Sequence, residues 1–407
     1  MVRQQQKEMN MKLNRHNTVW KGYMTGKRLL AAFLGASLLL SGCGPAGGSQ
    51  GAFDASSEEN GKLKVAVTLF PYYDFVRQIA GDQVDLQMVI PAGMDSHSFE
   101  PTPADIRTIQ HADVLISNGG TMEHWLEDTL SALDTSNMTI VTMMDYVDTV
   151  EEEIVEGMED AGHDHDHAHS HAAADDHDHS HETPEEHAAH AQEADDHDHS
   201  GETPEEHAAH AQETDDHDHS DYVDHDGHEE AIEYDEHIWT SPVNAMKLVD
   251  VIGETLAEAD PAHAEVFRQG AADYKKELEE IDAGFREVSR NRKQNMIVMG
   301  DKFPFRYLAD EYQLDYRAAF SGCSSDTEPS AKTIAYLIDK VKEEQIPVVY
   351  YLELSSHRVS EIIGEETGAE PLLLHSCHNV TRAQFDAGIT YAGLMRQNIE
   401  NLRKGID

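Results

Sequence analysis

The stretch Leu63-Lys-Val-Ala-Val-Thr-Leu-Phe-Pro71 indicates the fold of this 407-residue chain. Its branched apolar residues are typical of a buried strand, a proline ends the run, and Tyr72–Ala80 continues with helical spacing. The same strand-then-helix order recurs as far as Thr142 and begins again near Met296. This alternation predicts an α/β fold with mainly parallel sheets, in which ligand sites lie just beyond the carboxyl ends of the strands.

Two long helices are predicted between these series. Ser241-Pro242 has the cap and first-turn proline of a helix that runs to about Ala259. Asp260-Pro261 repeats the signal for a helix to about Arg292, which would be roughly 45 Å long at the usual helical rise. The remaining predicted elements are strands Val84–Ile90, Val114–Ser117, Met138–Thr142, Met296–Met299, Val348–Leu352 and Leu372–Leu374, and helices Pro103–Gln110, Met122–Leu133, Phe303–Glu311, Thr333–Glu344, Val359–Thr367 and Phe385–Leu402.

A block rich in histidine and acids separates the first series from the long helices. Eighteen of the 27 histidines lie between Ala161 and Glu230, and the motif Asp-Asp-His-Asp-His-Ser occurs three times. The stretch Glu151–Glu236 holds 33 of the 78 acids and no Lys or Arg. Such a composition cannot build a core, which predicts a disordered insert. Imidazole is a preferred zinc ligand, so zinc sequestration is favoured over a plain solvated spacer. The net charge of −48 argues against a nucleic-acid partner.

The N-terminal sequence predicts export and lipid anchoring. Lys27-Arg28 precedes the apolar run Leu29–Leu40, which is too short to span a membrane and is typical of a signal peptide. Leu40-Ser-Gly-Cys43 resembles a bacterial lipobox, which implies cleavage before Cys43 and a lipid on its sulfur that attaches the protein to the bilayer. The alternative is a generic signal that a cysteine follows by chance. Met11 and Met24 are other possible starts.

Two further cysteines, Cys323 and Cys377, follow apolar stretches. In an exported protein a pair of cysteines most often forms one disulfide, and we expect that here. The alternative is that one or both thiolates bind metal.

Two segments carry candidate metal ligands. His97 lies in a proline-rich loop behind a predicted strand, and His237 lies directly before a capped helix. Ser96–Pro103 resembles Pro-His-x-x-Glu-Pro-Thr-Pro, and Asp235–Pro242 resembles Asp-Pro-His-x-Trp-x-Ser-Pro with Glu236 in place of Pro. These are motifs of the zinc- and manganese-binding lipoproteins of bacterial ABC transporters, the cluster A-I solute-binding proteins. The resemblance covers about residues 62–405, and the zinc members also carry a His-rich loop before the second ligand.

The resemblance implies two α/β lobes joined by a long rigid helix, with the metal in the cleft between them and two more ligands from the second lobe. Asp301 is the nearest donor at the third ligand position, where the family has His or Glu; alternatively, it only caps the next helix. His375 and His378 match alternative places for the fourth ligand. Because nitrogen donors favour zinc, Zn²⁺ is expected and Mn²⁺ is less favoured. Glu328 and Glu353 are candidates to orient ligands, and Trp125 is expected to pack near the cleft.

The resemblance therefore implies a monomeric, extracytoplasmic protein that captures Zn²⁺ and delivers it to an ABC permease. The alternatives are a manganese-binding member, or a surface zinc buffer or adhesin without a transport role. No enzyme is expected, since His-Glu-x-x-His, Gly-x-Ser-x-Gly and phosphate-loop motifs are absent from the sequence. The predicted organisation is a signal peptide (1–42), a tether (43–61), the N-terminal lobe (62–150), the insert (151–236), the end of the N-terminal lobe (237–260), the linking helix (261–292) and the C-terminal lobe (293–407).

Overall fold

The computed structural model describes residues 61–158, 233–324 and 328–407. These segments contain two four-stranded sheets in which every strand pair is parallel. The predicted α/β fold with two lobes is confirmed. Cys43, the signal peptide and most of the His-rich insert lie outside the described residues.

The N-terminal sheet has the strand order β2-β1-β3-β4. Its central strand β1 is buried because it pairs on both sides: Val65 aligns with Leu86 on one neighbour and with Val114 on the other. All four carboxyl ends therefore reach the same edge. The elements of this part are β1 (Leu63–Val67), α1 (Phe70–Ala80), β2 (Val84–Met88), α2 (Pro103–Gln110), β3 (Val114–Ser117), α3 (His124–Ser131) and β4 (Thr139–Thr142).

Two helices follow one another between the two sheets. In α4 (Pro242–Ala259) the Ser241 hydroxyl accepts the Asn244 N–H at 3.3 Å, as the predicted cap requires. The long helix α5 (Ala264–Asn291) buries its apolar face, and its bounds lie within three residues of the predicted ones. The buried apolar residues of this face recur at helical spacing and include Phe267, Tyr274, Leu278, Ile281 and Phe285.

No helix in the described segments has the length and apolar character needed to cross a membrane.

The C-terminal sheet repeats the pattern with the order β6-β5-β7-β8. One strand was not predicted: β6, at the sheet edge, whose run Asp-Tyr-Arg-Ala-Ala-Phe-Ser mixes charged and small residues and carries a weak strand signal. The predicted helix Phe385–Leu402 is two helices, because Gly388 adopts φ 73° between them. The elements are β5 (Met296–Phe303), α6 (Arg306–Tyr312), β6 (Asp315–Ser321), α7 (Ala331–Glu344), β7 (Val348–Tyr351), α8 (Arg358–Thr367), β8 (Glu370–Leu373), α9 (Arg382–Asp386) and α10 (Tyr391–Ile406).

Both ends of the predicted insert are ordered, which corrects its boundaries of 151–236. The Glu152 N–H donates to the Glu233 carbonyl at 2.9 Å, and the Asp235 N–H donates to the Val150 carbonyl at 3.0 Å. The chain therefore leaves and re-enters the fold as a short antiparallel pair. This pair fixes the backbone of Asp235, two residues before His237.

Candidate metal centre

His97 lies in the loop between β2 and α2, beyond the carboxyl end of a strand. Its backbone N–H donates to the Asp95 carboxylate at 3.2 Å. The loop is also held from the other lobe, since the Asn379 side chain donates to the carbonyls of Pro91 at 2.9 Å and Met94 at 2.6 Å. Thr102 then caps α2 in a reciprocal arrangement with Asp105. His97 is thus a loop residue with both flanks fixed.

His237 lies at the start of a short 3-10 turn, Ile238–Thr240, just before α4, and its side chain is 2% exposed. The Asp235 carboxylate accepts the His237 backbone N–H at 2.8 Å and lies 3.2 Å from its Nδ1. A proton on Nδ1 is favoured by this carboxylate, which leaves Nε2 as the lone-pair donor. Carboxylate partners of this kind orient metal-binding imidazoles.

His378 comes from the loop after β8, on the C-terminal lobe. Its backbone N–H donates to the Ser376 hydroxyl at 3.1 Å, and its Nε2 lies 2.5 Å from the Ser96 hydroxyl of the N-terminal lobe. The indole of Trp239 packs against the His378 ring with centroids 5.3 Å apart. His378 therefore faces across the cleft toward the other two histidines.

These three histidines converge. One ring nitrogen from each of His97, His237 and His378 lies within 4.8 Å of the other two, in a set that could hold a metal ion. Their ring centroids are 5.6 to 6.1 Å apart. Among the residues that the structure describes, these three histidines are the group of potential ligands whose nitrogens lie close enough together to hold one ion. Two lobes contribute to it, so a bound ion would join them.

The imidazoles of His97 and His378 are held in the neutral form that binds cations. Burial lowers the pKa of His97 to about 4, and the neighbouring His237 and Lys302 add to the effect while Asp95 and Asp235 oppose it. Burial also lowers the pKa of His378, again with contributions from His237, His97 and Lys302. Both side chains are consequently unprotonated near pH 7, with lone pairs available.

Asp301, predicted as a ligand, is not part of the three-histidine set. It lines the same cavity, of about 180 Å³, together with Lys302 and Glu353. Its two carboxylate oxygens, however, accept the backbone N–H groups of Lys302 at 2.9 Å and of Leu352 at 3.3 Å. The register of β5 against β6 shifts between Met299 and Lys302, so Asp301 lies at an irregularity of the strand.

His375, the alternative to His378, is a buried core residue outside the set. Its side chain is 0% exposed, its Nδ1 accepts the Cys377 N–H at 3.0 Å, and Glu353 lies 3.3 Å from the same nitrogen. Asn398 holds its backbone through two hydrogen bonds. Burial raises the pKa of Glu353, but His375 and Ser376 outweigh burial and bring the pKa below its usual value. Glu353 thus contacts His375 and accepts the Ser376 N–H at 2.8 Å, whereas the other candidate, Glu328, is exposed.

The predicted disulfide is not formed, because Cys323 and Cys377 are both free thiols. Cys377 is buried in the core and its thiol faces the His375 carbonyl at 3.8 Å. Cys323 lies just after β6, and its backbone N–H donates to the Glu152 carboxylate at 3.0 Å. Burial raises the pKa of both thiols, which disfavours the thiolate form that metals require.

Sequence reasoning missed the residues that join the lobes at the site. Trp239 donates its indole N–H to the Ser376 carbonyl at 2.8 Å and packs on His237, while Asn379 holds the His97 loop. No local pattern distinguishes such contacts, since their partners are more than a hundred residues away. The expectation for Trp125 holds: it is 5% exposed and packs on Phe99, with ring centroids 5.0 Å apart.

Comparison with known proteins identifies the family. The model of the ZnuA family, described as "Zinc-uptake complex component A periplasmic", matches residues 65–405. The chain belongs to this family.

Individual relatives agree with this assignment. The chain is 31% identical to the zinc-binding protein AdcA of Streptococcus pyogenes serotype M18 over 347 residues. This alignment covers 85% of this chain and 56% of that protein. The chain thus spans about half the length of this streptococcal relative. It is 26% identical to the high-affinity zinc uptake system protein ZnuA of Bacillus subtilis, over 91% of this chain and 94% of that protein.

A solved structure agrees as well. The Zn(II)-bound ZnuA-like domain of Streptococcus pneumoniae AdcA is 25% identical and superposes with a TM-score of 0.58, covering 85% of this chain and all of that domain. The ZnuA family fold therefore extends across both described lobes.

Proposed function

We propose that this protein is the extracytoplasmic zinc-binding component of a zinc-uptake ABC transporter, and that it captures Zn²⁺ with His97, His237 and His378. The single observation that carries the proposal is the convergence of three imidazoles from two lobes within 4.8 Å. Zinc takes imidazole nitrogens readily in tetrahedral sites, whereas manganese favours oxygen donors, so this set favours Zn²⁺ over Mn²⁺.

Three histidines leave one position of a tetrahedral zinc ion for a further donor. Asp301 and Glu353 line the same cavity, but their oxygens are engaged in hydrogen bonds to backbone or side-chain donors. We assign the fourth position to water or to Asp301 after a local rearrangement. Three histidines with an open position also occur in catalytic zinc sites. Membership of a zinc-uptake family supports a binding protein instead.

The position of the three histidines on two lobes also bears on how zinc would be released. Because ligands come from both lobes, bound zinc stabilises the closed arrangement, and release requires the lobes to separate or a loop to move. We propose that an ABC permease is the recipient and that a lipid on Cys43 keeps the protein, as a monomer, at the membrane. The lipobox sequence before Cys43 supports the anchor. A permease and an ATPase encoded beside this protein would separate a transporter from a surface zinc buffer or adhesin.

The proposed site is tested by replacing its histidines one at a time in a variant that lacks Ala161–His228, so that the His-rich block does not mask the result. His97→Ala, His237→Ala or His378→Ala removes one of about four bonds to the metal and should raise the zinc Kd by orders of magnitude. Competition calorimetry measures this Kd. His111→Ala, an exposed histidine outside the site, is the matched control and should have no effect.

One further variant and one diffraction measurement identify the remaining ligand. If Asp301 completes the site, Asp301→Asn weakens zinc binding as strongly as a histidine variant; if water does, the effect is small. Anomalous scattering at the zinc edge on metal-loaded crystals identifies the ion and its ligands directly. Unchanged tight binding after loss of both His97 and His237 would show that the site lies elsewhere.

A further inference from the structure

The carboxylate of Glu236, the residue directly before His237, is buried and fully engaged. The residue is 3% exposed. One carboxylate oxygen accepts the Thr121 backbone N–H and, at 2.8 Å, the Thr121 hydroxyl; the other accepts the Met122 N–H at 2.7 Å. A buried carboxylate is costly unless such donors replace water. This contact therefore ties the start of the His237 segment to the loop after β3.

The loop that receives the carboxylate is shaped for it. Gly119 and Gly120 have φ values of 88° and 81°, a conformation that side chains rarely adopt. A Cβ on Gly120 would overlap the Glu236 carboxyl group. Successive backbone N–H groups beyond such glycines form a concave surface that accepts anions. Here the anion is part of the same chain.

The backbone on either side of this contact is fixed as well. The Glu236 carbonyl accepts from the Asn118 side chain at 3.0 Å, and Asn118 in turn accepts the Tyr72 hydroxyl. The Asp235 carbonyl accepts the Tyr307 hydroxyl of the C-terminal lobe at 2.7 Å. Asp235 orients the His237 ring, but nothing in that contact sets how far the backbone of His237 lies from His97. The Glu236 carboxylate is a further contact that ties this backbone to the N-terminal lobe.

We propose that Glu236 is a positioning residue for metal capture: its carboxylate, bound by the Thr121 and Met122 N–H groups, holds the His237 backbone where its imidazole meets those of His97 and His378. This inference rests on the proposed function, because it assigns Glu236 a role in that same site. At the corresponding place the family motif has Pro, which restrains the backbone through its ring. In this chain hydrogen bonds supply the restraint.

The test uses the full chain, with a competing chelator that keeps free zinc too low to load weak sites. Glu236→Ala should raise the zinc Kd about 10- to 100-fold, the usual effect of losing a group that orients a ligand. It should also shift the visible absorption of the Co²⁺-loaded protein, which reports the geometry of the ligands. Glu236→Gln should have a smaller effect, because its amide keeps one acceptor oxygen. Glu233→Gln, an exposed glutamate on the same segment, is the control and should match the wild type.

A second variant tests the contact from the other side. Gly120→Ala keeps Glu236 but displaces its carboxylate, so it should weaken zinc binding as Glu236→Ala does. The double variant should bind zinc no more weakly than Glu236→Ala alone, because both changes remove one shared interaction. Full additivity of the two effects would contradict the proposal.

Other outcomes are equally decisive. If Glu236→Ala lowers the melting temperature of the metal-free protein but leaves the zinc Kd within about twofold and the cobalt spectrum unchanged, Glu236 is only structural and the inference fails. If the wild-type chain itself binds no zinc under chelator competition, the proposed function fails instead. Glu236→Gln keeps the inference testable should either of the harsher variants not fold.

Discussion

Among single residues, Glu123 in the loop after β3 carries a strongly perturbed carboxyl group. It is 3% exposed, and one oxygen accepts the N–H groups of Asn118 at 2.9 Å and Gly119 at 3.0 Å. Burial raises its pKa to about 7, and the charge of Glu236 adds to burial, while these hydrogen bonds oppose it. The loop that holds the Glu236 carboxylate thus has a carboxyl group of its own, that of Glu123, which is partly protonated at neutral pH.

This pKa predicts how stability depends on pH. Between pH 4.5 and 7 the folded protein binds a proton at Glu123 that the unfolded chain has released, so this group lowers stability as pH rises through that window. Glu123→Gln removes the effect. Relative to wild type, the metal-free variant should gain up to about 3 kcal/mol in unfolding free energy between pH 4.5 and 8, measured by urea denaturation. A constant difference across that range would refute the assignment. Glu127→Gln, exposed in α3, is the control.

At the element scale, the long helix α5 contacts other helices at two glycines. A Cβ on Gly270 would overlap the Ile79 backbone carbonyl of α1, whereas a Cβ on Gly284 would meet only the tip of the Ile399 side chain, at 2.7 Å. Backbone cannot move aside without shifting a helix, but a side-chain tip can rotate. The first glycine is therefore required for packing and the second is not.

Alanine substitution should separate the two positions. Both changes gain about 1 kcal/mol of helix propensity. Gly270→Ala should nevertheless destabilise the protein by about 1–3 kcal/mol or more, since α1 and α5 must separate. Gly284→Ala should be neutral or slightly stabilising. Denaturant unfolding of each single variant measures the difference. Equal effects at the two sites would mean that the α1–α5 contact is looser than its geometry indicates.

At the scale of the whole molecule, buried hydrogen bonds tie the lobes together around the site. The fully buried Asp74 of α1 accepts the Tyr391 N–H at the start of α10 at 2.7 Å, and Arg77 donates to the Ile389 carbonyl at 2.6 Å. The Trp239 indole joins the first lobe to the His378 loop. Such contacts favour small loop movements over wide hinge opening during metal capture.

The His-rich block and the three-histidine site should respond differently to deletion and to pH. Removal of Ala161–His228 leaves His97, His237 and His378 in place, so one tight zinc site should remain while the number of bound ions falls. The block should lose zinc steeply between pH 7 and 5.5, because an ordinary imidazole has a pKa of about 6.5 and must shed its proton to bind zinc. His97, whose pKa is about 4, and His378, whose pKa is also lowered, compete with protons only at lower pH.

Zinc titration of the full and deleted chains at pH 7 and 5.5 checks this contrast. The full chain should lose most of its weak sites on acidification, whereas the deleted chain should keep its single site with a smaller change in affinity. Growth should slow on deletion only when zinc is scarce. Loss of the tight site on deletion would mean that the block supplies a primary ligand.

The order of most strands and helices could be predicted from local apolar spacing, caps and prolines, because these features specify an element without its partners. His97 and His237 could be proposed as ligands from the sequence, since each stands in a segment that resembles a motif of the family. The edge strand Asp315–Ser321 was not predicted, because its burial depends on pairing with β5. The break at Gly388 was not predicted either, because helical spacing does not reveal a positive φ.

Which side chains meet across the cleft depends on the fold as a whole. His375 and His378 are three residues apart and chemically identical, yet Asn398 and Glu353 hold the first in the core while the second faces His97. Asp301 lies in the same cavity but has its oxygens occupied by backbone N–H groups. The direction of a loop side chain depends on partners that are distant in sequence, and no local pattern carries that information.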